Sequence, residues 1–200
     1  MKETNRTVTL VQTAILAAVI LLMAFTPLGY FKTLGLSITL IVVPVAVGAI
    51  LLGPKGGAFL GLIFGLTSFS QCFGMSALGT ALFSLNPVGT FILCIVPRIL
   101  VGWLTGLIYQ ALKNTRAKNL SIAAASLCCP LLNTILYMSC LVLFFYQTEL
   151  IQQFVTTLGA GNPFTFVILF VGINAVFEAA ACLILSTAIS GALLKLKRRA

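Results

Sequence analysis

The chain has 200 residues, of which 60% are hydrophobic and only 8% charged, with a formal net charge of +9. A soluble domain carries roughly 45–50% apolar and about 25% charged residues, and so few charges could not cover the surface of a globule this small. Asp and His are absent and Glu3, Glu149 and Glu178 are the only acids, which excludes His-built metal sites, the Ser-His-Asp triad and acidic magnesium clusters. Neither a metal nor a cofactor is expected. The basic residues punctuate apolar runs and form no polar patch, so the expected surroundings are a lipid bilayer and not nucleic acid.

A spanning helix needs about 20 largely apolar residues, each rising about 1.5 Å across a core of about 30 Å. Six such runs follow one another: 8–25, 37–53, 57–73, 87–112, 120–147 and 163–194. The first follows Lys2 and Arg6 without a small-residue cleavage site and reads as a retained span. Gly53-Pro54-Lys55-Gly56 separates the second from the third; joined, these two would make about 37 residues, too long for one crossing. None alternates as a barrel strand does. The expected fold is an all-α integral membrane domain over residues 1–200, six helices in one bundle.

Charge orients it. With both termini inside, Lys2, Arg6, Lys55, Lys113, Arg116, Lys118, Lys195, Lys197, Arg198 and Arg199 are cytoplasmic, Lys32 alone is outside, and Arg98 lies within a span. The outer loops are then 26–36, 74–86 and 148–162, rich in Gly, Asn and Thr, and read as structured caps over an outward-facing site. Gly57, Gly61 and Gly65, with Gly102 and Gly106, predict close helix packing inside the bundle. Ala14 and Ala18 place small residues on one face of the first helix, where another protein could approach. The cysteines at 72, 94, 128, 129, 140 and 182 read as buried thiols packing between helices.

Ionisable groups inside a bilayer are costly and face the bundle interior or a wet cavity. Arg98 lies about 16 Å down the fourth helix from Pro87, and Glu178 about 21 Å down the sixth from Phe164. Two roles stand side by side: a buried Arg98–Glu178 bridge, or a guanidinium that meets a ligand anion with Glu178 orienting it. Thr90, Cys94 and Arg98 share a face, as do Asn133 and Tyr137, and Asn174 and Glu178, being four apart. Gln71 and Ser68 end the third helix and Asn86 opens the fourth. Substrate-binding candidates are therefore Arg98, Asn133, Tyr137, Gln71, Asn86, Asn174 and Glu178. The chain has no Walker A motif, no acidic relay through the membrane, and too little length for a self-contained secondary transporter; it reads as the binding part of a transporter powered by partners.

The run from Ile41 to Gly65, with Val43-Pro44-Val45 and Gly53-Pro54-Lys55-Gly56-Gly57, resembles the substrate-binding S component of energy-coupling factor (ECF) vitamin transporters. Phe25-Thr26-Pro27-Leu28-Gly29 before it, and Asn86-Pro87 and Pro97-Arg98-Ile99-Leu100-Val101-Gly102 after it, share that resemblance, and the wording is most similar to pantothenate-specific members. The resemblance implies a six-helix bundle in a prokaryotic cell membrane that captures a vitamin from outside. It also implies partners: a transmembrane T component and two cytosolic ATPase subunits, which would hydrolyse the ATP, so the chain itself is no enzyme. Family members dock through an A-x-x-x-A face, matched by Ala14 and Ala18, and bind with outer loops and later helices, where Arg98, Asn133 and Tyr137 fall. Ile41-Val42-Val43 lacks the Thr or His of many relatives. That leaves riboflavin, thiamine, hydroxymethylpyrimidine or folate as other solutes. A non-transport membrane protein with a structural Arg98–Glu178 pair is the competing class.

Overall fold

The computed structural model describes residues 2–26, 29–33, 36–113 and 118–199; Arg116, expected on an inner loop, and Pro27 and Leu28 of the family-like run lie outside them. In chain order the elements are α1 (Lys2–Phe25), a hairpin of β1 (Tyr30–Thr33) and β2 (Leu36–Thr39), α2 (Val42–Gln71), α3 (Ala77–Leu85), α4 (Pro87–Leu112), α5 (Lys118–Phe145), α6 (Glu149–Thr157) and α7 (Pro163–Arg199). The long helices follow from composition. A segment apolar on every side must satisfy its own N–H and C=O groups wherever water is absent, and the helix does so locally.

Among the described residues, five helical stretches are long and apolar enough to cross a membrane: Thr7–Phe25, Val42–Gln71, Pro87–Leu112, Leu120–Phe145 and Asn174–Leu196. The expected break between 37–53 and 57–73 falls inside the run Val42–Gln71, which leaves helical geometry at Gly53. Gly53 adopts φ 79° and ψ −172°, a conformation open to glycine, and Pro54 lacks the N–H that would continue the ladder. A Cβ on Gly48 would overlap Leu60, and one on Gly57 would lie 2.8 Å from the Ala49 Cβ. Residues 48 and 60 of a straight helix would stand about 18 Å apart, so the chain folds back at Gly53.

The start of the expected second span is corrected. Leu36-Ser37-Ile38-Thr39 alternates apolar and polar residues and pairs antiparallel with β1, Tyr30 opposite Thr39 and Thr33 opposite Leu36; the helix begins only at Val42. Two more of the segments expected to be outer loops carry short helices, α3 and α6. Ser76 caps α3 by accepting from the Gly79 N–H at 3.2 Å.

Glycines set the closest helix pair. A Cβ at Gly57 would overlap the Gly102 carbonyl, one at Gly61 the Arg98 carbonyl, and one at Gly65 would come within 2.9 Å of the Ile95 Cα. The second half of α2 thus lies backbone to backbone on α4, the use expected of these small residues. One apolar cluster joins Ile20, Val42, Val47 and Leu60; another, around Leu82, Leu93, Leu141, Phe145 and Phe166, joins α3 to α7. Ala24 and Phe64 of the first and Leu82, Leu93 and Met138 of the second border one cavity.

Candidate functional site

That cavity has a volume of about 940 Å³, within the range of roughly 300–1,000 Å³ usual for small-molecule sites. Gln71, Arg98, Asn133, Tyr137, Asn174 and Glu178 all line it, so six of the seven residues named from the sequence come together. They arrive from four directions: Gln71 from the end of α2, Arg98 from α4, Asn133 and Tyr137 from α5, Asn174 and Glu178 from α7. The seventh does not join them. Asn86 is exposed and outside the lining; its Oδ1 accepts from the Gly89 N–H at 2.9 Å, making it the N-cap of α4 ahead of Pro87. An Asn before Pro at a helix start is the ordinary capping pattern.

Arg98 is 8% exposed. Its Nη1 donates to the Leu93 carbonyl at 2.8 Å. The guanidinium carbon lies 4.3 Å from the centre of the Tyr137 ring and 5.5 Å from that of Phe64, so two aromatic faces bracket the cation. Its Nε has no hydrogen-bond partner among the described residues, and neither has the Oδ1 of Asn133, itself 8% exposed. A buried donor and a buried acceptor thus stand unpaired around one hollow, each at a cost that a bound polar group would remove.

An Arg98–Glu178 bridge, one of the two roles left open by the sequence, is not formed among the described residues. Glu178 Oε1 instead accepts from the Thr39 N–H of β2 at 2.6 Å, tying the hairpin to α7. The two side chains share the cavity wall, and each is bonded to backbone: Arg98 to the carbonyl five residues before it, Glu178 to an N–H of the hairpin. Gln71 Nε2 donates to the Ala24 carbonyl at 2.7 Å and joins the end of α1 to α2.

Phe64 and Thr39 went unmarked in the sequence. Phe64 lay in a uniform apolar run, although its place three residues after Gly61 puts it on the helix face that meets Arg98. Thr39 contributes its backbone, which composition cannot reveal. Ala14 and Ala18 are exposed on α1, whose buried contacts are Ile20 and Ala24, while Leu10, Ile15 and Leu22 of the same helix are exposed.

Residues 8–190 match the family described as ECF transporter, substrate-specific component. The chain belongs to that family. Two relatives agree. The pantothenic acid transporter PanT of Lactococcus lactis subsp. cremoris is 35% identical over 167 residues, covering 78% of each chain. The pantothenate transporter PanT of Leuconostoc mesenteroides subsp. mesenteroides is 33% identical over 205 residues, covering 98% of this chain and 97% of its own. As a substrate-specific component with several membrane-crossing helices, the protein is a multi-pass membrane protein of a transporter, and the cavity around Arg98 is the part of it suited to hold a small polar solute.

Proposed function

We propose that this chain is the pantothenate-binding component of an ECF importer. It takes the vitamin from outside through the cavity, associates with a transmembrane T component and two cytosolic ATPase subunits, and delivers the solute inward on their ATP hydrolysis. The two relatives, both named as pantothenate transporters, support the solute. The observation that carries the reading is the pair of unsatisfied groups, Arg98 Nε and Asn133 Oδ1. Pantothenate has a carboxylate for the first and hydroxyl and amide N–H donors for the second, and charge-assisted bonds to a guanidinium are the stronger class.

Arg98, Asn133 and Tyr137 form the binding core, with Gln71, Asn174 and Glu178 shaping its rim. The fold behind it is six crossings with both termini cytoplasmic. The reversal at Gly53 supports the count, and the placement of all but two of the 12 basic residues on the inner side supports the orientation. Cysteines introduced at Lys55 and Gln152 test this: an impermeant thiol reagent is expected to reach position 152 in intact cells and not position 55.

Calorimetry on the purified protein tests the solute. Pantothenate is expected to bind at least about tenfold more tightly than its neutral carboxamide, since a charged hydrogen bond contributes roughly 1.5–3 kcal/mol and 1.4 kcal/mol is one decade. Arg98→Ala should remove that preference and Arg98→Lys restore only part of it, an ammonium lacking the planar fork. Equal affinity of acid and amide for the wild type would sink the assignment of Arg98 to the carboxylate.

A further inference from the structure

Two thiols on the cavity wall take no part in the polar cluster. Cys72 and Cys94 both line the cavity, both are 4% exposed, and their sulfurs lie 3.8 Å apart in a thiol–thiol contact. They meet because of the glycine ladder. Gly65 holds α2 against α4 at the Cys94 carbonyl and the Ile95 Cα; two turns further on, where α2 ends, Cys72 faces Cys94. Burial on every other side leaves the cavity as the route to these sulfurs.

Cys72 is also the root of the cavity's roof. It is the C-cap of α2, and from it the chain passes through Gly74, at φ 111°, to Ser76 and α3. Met75, Ser76 and Gly79 line the cavity. A Cβ on Gly79 would lie 2.9 Å from the Cys72 sulfur, so the first turn of α3 rests on it. A bond from Cys72 to α4 would fasten this roof one helical turn above Arg98.

We propose that Cys72 and Cys94 are a redox-responsive pair, oxidised to a disulfide by hydrogen peroxide that enters through the cavity, and that this disulfide pins residues 72–79 to α4 and slows passage of the solute. The second part rests on the reading of the cavity as the solute site. One thiol gives up its proton and attacks a peroxide oxygen as thiolate; the O–O bond breaks, the departing hydroxide takes that proton and leaves as water, and a sulfenic acid remains. The neighbouring thiol then attacks that sulfur, the S–O bond breaks, and a second water departs as the S–S bond forms. The two sulfurs lose two electrons and the peroxide gains them. The sulfurs must close to about 2 Å, a movement open to Cys72 because it stands at a helix end, while Cys94 stays within α4.

The full-length protein in detergent, reduced or treated with hydrogen peroxide, tests both parts. Peptide mass mapping is expected to find Cys72 joined to Cys94 with the loss of two hydrogens, reversed by reductant. Amide hydrogen exchange across 73–79 should slow several-fold in the oxidised wild type and stay insensitive to peroxide in Cys72→Ser and in Cys94→Ser. Release of preloaded pantothenate should slow about tenfold. The proposal is overturned if Cys72 and Cys94 remain open to alkylation while other cysteines oxidise, or if the cross-link forms and neither exchange at 73–79 nor release changes. Failure of pantothenate to bind the reduced protein would overturn the solute assignment alone, since mass and exchange are read without it.

Discussion

Arg98 is tethered by Nη1 to the carbonyl of Leu93, five residues earlier on its own helix, at 2.8 Å. The residue between them in consequence is Pro97. A helix interior would normally offer the Leu93 carbonyl the N–H of residue 97; proline has none, and the guanidinium takes the vacancy. The Pro97-Arg98 pair is thus a single device, one residue freeing an acceptor and the next using it to hold a cation over Tyr137.

Pro97→Ala is therefore expected to return the Leu93 carbonyl to the helix ladder and set the Arg98 head loose. The tether contributes roughly 0.5–1.5 kcal/mol net, so pantothenate affinity should fall about two- to tenfold, while the helix itself gains stability. Titration calorimetry on a variant with unchanged or raised melting temperature decides it. Unchanged affinity would mean that the tether does not position the guanidinium.

The bond from the Thr39 N–H to Glu178 makes Glu178 a latch on the hairpin. Glu178→Ala should speed amide exchange at Thr39 and raise the pantothenate off-rate several-fold, whereas Glu178→Gln keeps an acceptor oxygen and should preserve most of the closure. Stopped-flow release and exchange at Thr39 measure both. If the alanine variant matches wild type in each, the latch carries no function.

Glycine substitutions should divide by what a Cβ would meet. At Gly61 it would strike the Arg98 carbonyl, and overpacking of this kind costs about 1–3 kcal/mol. Gly172 has nothing within 4 Å, so Gly172→Ala should be neutral or gain up to about 1 kcal/mol. Thermal unfolding in detergent compares them; a Gly61→Ala protein as stable as wild type would show that α2 and α4 separate easily.

Ala14 and Ala18 stand exposed on α1, away from the cavity lining. Ala14→Trp with Ala18→Trp should leave pantothenate binding within about twofold and abolish uptake by cells holding the T component and ATPases, because close helix approach needs small residues. Normal uptake by that variant would place docking elsewhere.

Much of this site could be read from residue types and spacing. Amides and charges are rare enough in apolar helices that Arg98, Asn133, Tyr137, Asn174 and Glu178 stood out, and steps of four put them on shared faces. Two kinds of feature stayed hidden. Asn86 looked like a ligand contact because capping and binding draw on the same side chain, and only its bond to Gly89 separates them. An Arg98–Glu178 bridge is one of two roles that opposite charges at similar depth allow, but backbone partners compete: a carbonyl released by Pro97 and an N–H on a hairpin strand. That strand was itself obscured, since Leu36-Ser37-Ile38-Thr39 blends into the hydropathy of the helix after it. The glycine ladder was legible because no other residue permits such contact.

The ladder has a mechanical consequence. With carbonyls of one helix seated against glycines of the other, the second half of α2 and α4 can neither rotate nor slide past each other without collision, so Phe64, Gln71 and Arg98 form a fixed jaw. Asn133, Tyr137, Asn174 and Glu178 belong to α5 and α7, which face that jaw without any such interlock. A solute held by Arg98 is therefore held on the side of the cavity that the interlock braces. Substitutions that crowd the interlock should register chiefly as altered folding stability, and changes to side chains that face the cavity as altered affinity or choice of solute.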